Sequence, residues 1–408
     1  MSSALPALAT SEARRLMRWA FLIGLVALLP CVIGAIVSPQ QFFRAYLAAY
    51  MFYLGIALGS LVILMIYHLT GGAWGYLVQR IFEAATRTLP LLAVLFIPIA
   101  LGVGSLYLWA RPDEFAGNTD LEHKQIYLNP PFFWVRAALF LVLWNVLAWL
   151  LNLWSRRHDE AADPQVQHRA STLAGPGLII IGISMTFASV DWIMSLEPTF
   201  RSTIFGPLVM SGQMVSALAA AIIALAWLAP RSQFGEVVSL EAVGDLGNLL
   251  LTFLVIWAYL AWFQFMIIWM ANLPWEVSWY LNRWRDGWQL VVIALVIVHF
   301  AVPFFMLLMR DVKQHLPSLA RVAGLILFME LVQNYYLIMP AFQGTSITQH
   351  WMDLLLPIAL GGMWLGWFLR ELTRWPLLPR RAEDRAEAMH LRARDAEAAA
   401  RPQEVTHG

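Results

Sequence analysis

Apolar runs of about twenty residues, the length that spans the hydrocarbon core of a bilayer, recur ten times along this chain of 408 residues. They lie at 19–37, 45–69, 89–110, 132–154, 174–196, 206–229, 246–271, 288–309, 319–340 and 352–373. Such runs have no water to satisfy their backbone groups, so each must close its hydrogen bonds internally as a helix. The fold class that follows is an all-α polytopic membrane protein with about ten transmembrane helices. Short loops make consecutive helices antiparallel neighbours, and ten of them fit two four-helix bundles plus two peripheral helices. Gly55 and Gly59 form a GxxxG in the second run, and the pairs Gly102/Gly104 and Gly361/Gly362 offer further close helix contacts.

The composition agrees: 60% of residues are hydrophobic and only 13% charged, about half the charged share of a soluble domain. Trp and Tyr gather near many run ends, as at Trp19, Trp109, Trp134, Trp154, Trp288, Trp351 and Trp375, in the manner of an interfacial aromatic belt. The first run follows Arg14, Arg15 and Arg18 but lacks a clear A-x-A cleavage site, so it reads as a retained helix rather than a signal peptide. Three regions result: an N-terminal segment 1–18, a transmembrane domain 19–375 and a charged tail 376–408.

With ten spans both termini share a side. Of 27 Lys and Arg, seven (Arg44, Arg111, Lys124, Arg136, Arg201, Arg283, Arg285) fall on the opposite side and 20 on the side of the termini. The positive-inside rule then places both termini in the cytoplasm. The internal stretch SRRHDEAADPQVQHRAST reads as a polar, mobile loop, and the longest external loop is RPDEFAGNTDLEHKQIYLNPP.

Charged groups inside such spans are expensive and are functional candidates. At about 1.5 Å per residue, His299 and Glu330 fall near the middle of the eighth and ninth spans, and Gln333 and Asn334 share a face with Glu330. Asp191 falls in the outer third of the fifth span. Arg136, Glu197, Gln264, Asn272 and Glu276 lie near the outer surface, and His68 and Glu83 near the inner one. Low dielectric drives a carboxylate toward its neutral form, and imidazole exchanges protons near neutrality. Asp191, Glu330, His299, His68 and Glu83 therefore make a candidate proton path. The competing reading is that these are interhelical ties, such as Asp191 with Arg136. Asn145 and Asn152, seven residues apart, read as interhelical ties of that kind.

A single cysteine, Cys31, excludes a disulfide framework and a cysteine-ligated zinc or iron–sulfur site in this chain. There is no CxxCH, Walker motif or GxGxxG. The sequence thus carries no visible redox centre or catalytic residue of its own, and nothing in it points to nucleic acid.

The strings HLTGGAWG (68–75), RTLPLLAVLFIP (87–98), DWIMSLEPTFRSTIFG (191–206), WAYLAWFQFMIIWMANLPWEVSWY (257–280) and HFAVPFFMLLMRDVK (299–313) carry a resemblance. Over roughly residues 15–375 the chain resembles the F subunit (ActF) of bacterial alternative complex III, within the NrfD-like, polysulfide-reductase-anchor superfamily. Trp275 departs from the family pattern, standing where an acidic residue before Glu276 is expected. The resemblance implies a bacterial inner-membrane subunit of a quinol:cytochrome c oxidoreductase in the respiratory chain, without redox centres of its own. It implies a sister NrfD-like subunit, multihaem cytochrome c subunits carrying haem c, and a periplasmic iron–sulfur subunit as partners. It also implies a quinol, menaquinol or ubiquinol, held better in the sister subunit, and a proton-translocation path in this one. The alternatives are a secondary transporter, whose spans are broken by Gly or Pro in matching places of two halves, and a purely structural membrane anchor.

Overall fold

A computed structural model describes residues 10–111, 122–161, 164–231, 238–342 and 350–375. The chain is all-α, with ten helices long and apolar enough to cross a membrane among the described residues. The tail expected at 376–408 lies outside them.

Helix α1 is Thr10–Val37 and α2 is Pro39–Thr70. The third span is broken into α3 (Ala73–Thr86), α4 (Leu89–Leu95) and α5 (Ile97–Leu101), and a short helix α6 (Val103–Leu106) follows it. The long helices α7 (Pro130–Ala161), α8 (Pro164–Trp192), α9 (Phe205–Leu228) and α10 (Leu240–Ala271) follow. A short helix α11 (Pro274–Asn282) leads to the eighth span, which is α12 (Trp288–Ala294), a π-helical turn Leu295–Ala301 and α13 (Val302–Leu308). The chain continues through α14 (Arg310–Gln314), α15 (Leu316–Ile338) and α16 (Trp351–Leu372).

Local chemistry sets many of these ends. Proline opens α2, α7, α8 and α11, where its missing N–H is not needed. Ser239 caps α10 by accepting from the Ala242 amide at 3.2 Å, and Asn272 ends it in the left-handed conformation at φ 49°. Proline also explains two interruptions. Pro90 and Pro303 have no N–H to give to the carbonyls four residues back, those of Thr86 and His299. The helix breaks after Thr86 and widens into the π turn around His299.

Helix α2 is the most enclosed element and packs on α3, α8, α9, α15 and α16. With the third span, α7 and α8 it forms one bundle. Helices α9, α10, the eighth span and α15 form the second, while α1 and α16 pair closely at the side. The bundles meet where α9 crosses α2. The GxxxG is the reason for that close approach: a Cβ on Gly59 would stand 2.0 Å from the Gln213 carbonyl oxygen, and one on Gly55 3.1 Å from the Gln213 side chain. Gly104 plays no such part, since nothing lies within 4 Å of its Cβ position.

The structure corrects two boundaries. The third span runs Trp74–Leu101 rather than 89–110, so Glu83 belongs to a membrane-crossing helix and not to its approach. The stretch expected as a mobile loop at 155–172 is largely helix, the ends of α7 and α8.

Candidate functional site

The sequence-selected polar residues fall into clusters at three depths. Both described ends of the chain share one face of the molecule, called here the terminal face. Asp191 sits about 40 Å along α8 from its terminal-face end, and Arg136 about 9 Å along α7 from its opposite-face end, by the α-helical rise. The two meet there. Arg136 Nε donates to Asp191 Oδ2 at 2.7 Å and Nη2 to Oδ1 at 3.1 Å. A third donor, Nη1, reaches the Tyr127 carbonyl at 2.9 Å, and the guanidinium lies over the Tyr127 ring at 3.8 Å. Asp191 is fully buried. Burial, then the Asp191 carboxylate, pushes the Tyr127 hydroxyl above the usual phenol range. The bidentate guanidinium compensates the carboxylate and joins α7 to α8.

Glu83 is the centre of the cluster nearest the terminal face. It accepts from Arg80 at 2.7 Å, Ser155 at 2.6 Å, Gln79 at 2.8 Å and Arg87 at 3.3 Å. Arg87 also donates to Asn152 Oδ1, and Asn152 to the Thr86 hydroxyl. Asn152 is thus the interhelical tie expected of it, whereas Asn145 donates back to Leu141 of its own helix. The partners Arg80 and Arg87 were not singled out from sequence, although their spacing of three and four residues from Glu83 is the helical-pair signal. His68 lies near the end of α2, its ring 5.9 Å from that of Tyr67 and its carbonyl accepting from Ser171.

The middle cluster is different in kind. His299 Nε2 and Glu330 Oε1 are 3.3 Å apart, at 0% and 2% exposure. This is ion-pair distance without hydrogen-bond alignment. Both imidazole nitrogens, Glu330 Oε1 and Gln333 Oε1 are buried without a hydrogen-bond partner among the described residues. His299 is about 17 Å from the start of the eighth span and Glu330 about 21 Å from the start of α15, counted as α-helical rise; the spans run in opposite senses, so both sit at mid-depth as expected. Gly212 faces Glu330: a Cβ there would be 2.9 Å from Oε2. Asn334 donates to the Glu330 carbonyl at 2.8 Å and supports the helix rather than the carboxylate.

A cavity of about 790 Å³ adjoins this pair. Trp257 forms part of its wall and contacts His299 with the two rings tilted by 53°, centroids 4.2 Å apart. Gln333 lines it as well, with Gln264, Tyr280 and Tyr336. Its outward wall includes Tyr259, Trp262 and Trp269, which are strongly exposed on the face that meets lipid. Gln264 is held by the Ser202 hydroxyl at 3.0 Å and by Tyr280; burial pushes the Tyr280 hydroxyl up. At the opposite-face end Arg283 bonds Glu197 at 2.6 Å and caps the carbonyls of Trp279, Tyr336 and Leu337. Glu276 stands in the first turn of α11, where a carboxylate suits the helix dipole. Trp257 and Arg283 escaped the sequence reading because an aromatic at a run's centre and an arginine at its edge are ordinary membrane-protein features.

No group of three metal-ligating side chains is present among the described residues. Comparison with protein-family profiles and with curated proteins gives no match.

Proposed function

We propose that the chain is an integral membrane subunit of a bacterial quinol:cytochrome c oxidoreductase of the alternative complex III type, in the inner membrane, and that it handles protons rather than electrons. The observation that carries this reading is the His299–Glu330 pair: two ionisable side chains, buried at mid-depth, with no Arg or Lys paired to the carboxylate among the described residues and with ring nitrogens that make no aligned hydrogen bond there. Such groups inside a bilayer serve proton or ion traffic unless they are satisfied ties. Asp191 and Glu83 are satisfied in that sense, each by arginine, and we assign them to packing. The pair, with Gln333 beside it, is the part of the expected path that retains exchange capacity.

The cavity fits the quinol that the sequence resemblance implies. Its walls are aromatic, its mouth is on the lipid side, and the unpartnered acceptor Gln333 Oε1 suits a hydroxyl head group. A quinol there would lie one tryptophan ring away from His299. This chain's own residues would orient the head group and take up a proton; electrons would pass to the haem c and iron–sulfur groups of partner subunits.

The transporter reading draws on broken helices in matching places of two halves. The broken spans are the second helix of the first bundle and the third of the second bundle, which is not a match. The decisive experiment is gentle purification from its membrane. Co-purification with haem c and iron–sulfur proteins, and quinol-dependent cytochrome c reduction by the assembly, is the expected result. A haem-free, monodisperse preparation that moves a solute across liposomes would reject the proposal.

A further inference from the structure

The arginines around Glu83 carry more charge than their carboxylates balance. Arg80 and Arg87 share Glu83, and Arg374 is paired with Glu371 at 2.7 Å. A further guanidinium, Arg156 on α7, faces no carboxylate among the described side chains. It lies over the Trp375 ring at 4.5 Å, and Arg87 approaches the same ring at 5.5 Å. The Arg156 Nε atom is buried and has no hydrogen-bond partner among the described residues. Two guanidiniums thus converge on one indole, and one keeps a shielded donor without an acceptor. In a low-dielectric setting that arrangement calls for an anion.

Depth indicates which anion. Asn152 stands about 33 Å and Arg156 about 39 Å along α7 from its opposite-face end, while the hydrocarbon core is about 30 Å thick. Arg156 and Trp375 therefore lie at the level of lipid phosphates on the terminal face. Tryptophan belongs at that level, and guanidinium pairs with phosphate through parallel hydrogen bonds. We infer that Arg156, Arg87 and Trp375 form a headgroup site for an anionic phospholipid of the leaflet at the terminal face. The lipid phosphate accepts from Arg156, its negative charge offsets the arginine excess, and the Trp375 ring supports the glycerol region. This inference does not depend on the proposed respiratory role.

The test uses the full chain, purified and stripped of lipid, and follows its thermal unfolding. It is titrated with phosphatidylglycerol, with phosphatidylcholine of the same acyl chains, and with inorganic phosphate. Phosphatidylglycerol is expected to raise Tm by several degrees and the other two hardly at all. Arg156→Gln should lose most of that rise, Arg156→Lys should keep part of it, and Arg18→Gln, altering an exposed arginine of α1, should keep it whole. An equal rise with phosphatidylcholine would mean that only acyl chains are bound and would overturn the site. An equal rise with inorganic phosphate would overturn the lipid assignment. A phosphatidylglycerol response that emerges only after Glu383, Asp384 and Glu387 are changed to amides would give the cluster to the tail and overturn the proposal. If Arg156→Gln does not fold, the lipid comparison on the unaltered chain still decides.

Discussion

His299 on the eighth span and Glu330 on the ninth approach within 3.3 Å at the middle of the second bundle, yet neither atom is aligned for a hydrogen bond. The reason lies in the chain. Pro303 withholds the amide that the His299 carbonyl would accept from, and the π turn Leu295–Ala301 turns the imidazole toward α15. The opposite wall is Gly212, where any side chain would meet Glu330. Backbone irregularity and a missing Cβ thus make room for a titratable pair. Glu330→Gln keeps the shape of the side chain and removes its exchangeable proton. On the proposed respiratory role, assembled complexes carrying it are expected to keep all subunits and to oxidise quinol while releasing fewer protons per quinol in sealed vesicles. Unchanged stoichiometry would return the pair to a packing role.

Arg136 and Asp191 make the opposite case, a pair whose partners satisfy one another. Removing one partner of a buried ion pair costs about 3–5 kcal/mol because a buried charge is left alone, whereas replacing both by apolar groups is often neutral or stabilising. Asp191→Leu and Arg136→Met are each expected to lower thermal stability strongly, and the double variant to recover most of the loss. Additive losses in this cycle, measured on the purified chain, would show that the two side chains do not act as a unit.

The sequence made the architecture legible because span length and helix-contact glycines are local signals: ten runs became ten spans, and Gly55 and Gly59 did mark the close crossing of α2 and α9. The mid-depth placement of His299 and Glu330 was legible for the same reason, as helix rise is regular. The start of the third span was not. Gln79, Arg80, Glu83 and Arg87 make α3 look too polar for a membrane, and only their mutual pairing, completed by Ser155 and Asn152 from α7, allows it. The cavity was also out of reach, since Trp257, Tyr280 and Gln333 come from three separate helices.

Sidedness is a separate question from packing, and charge supplies a prediction for it. By sequence, 20 of the 27 basic residues fall on the side of the termini, and the positive-inside rule predicts that this side is cytoplasmic. Reporter fusions after residue 160, at the end of α7, and at the C-terminus should both report a cytoplasmic location. A periplasmic signal from either fusion would contradict the topology and would move the arginine cluster around Glu83 to the other leaflet.

The crossing of α2 and α9 joins the two bundles, and it depends on what Gly59 lacks. An added methyl would meet the Gln213 backbone, carbonyl oxygen at 2.0 Å and carbonyl carbon at 2.6 Å, with Ala217 Cβ at 2.9 Å. Backbone cannot swing aside as a side-chain tip can, so the helices must separate. Overpacking of this kind costs about 1–3 kcal/mol, and here it also loosens the contacts of Gly212, one residue before Gln213, with Glu330. Gly59→Ala should therefore lower Tm and yield. Gly104→Ala, at a position with open space, should leave both unchanged and serves as the control for loss of glycine as such. Comparable losses in the two variants would mean that α2 and α9 are not held by this contact.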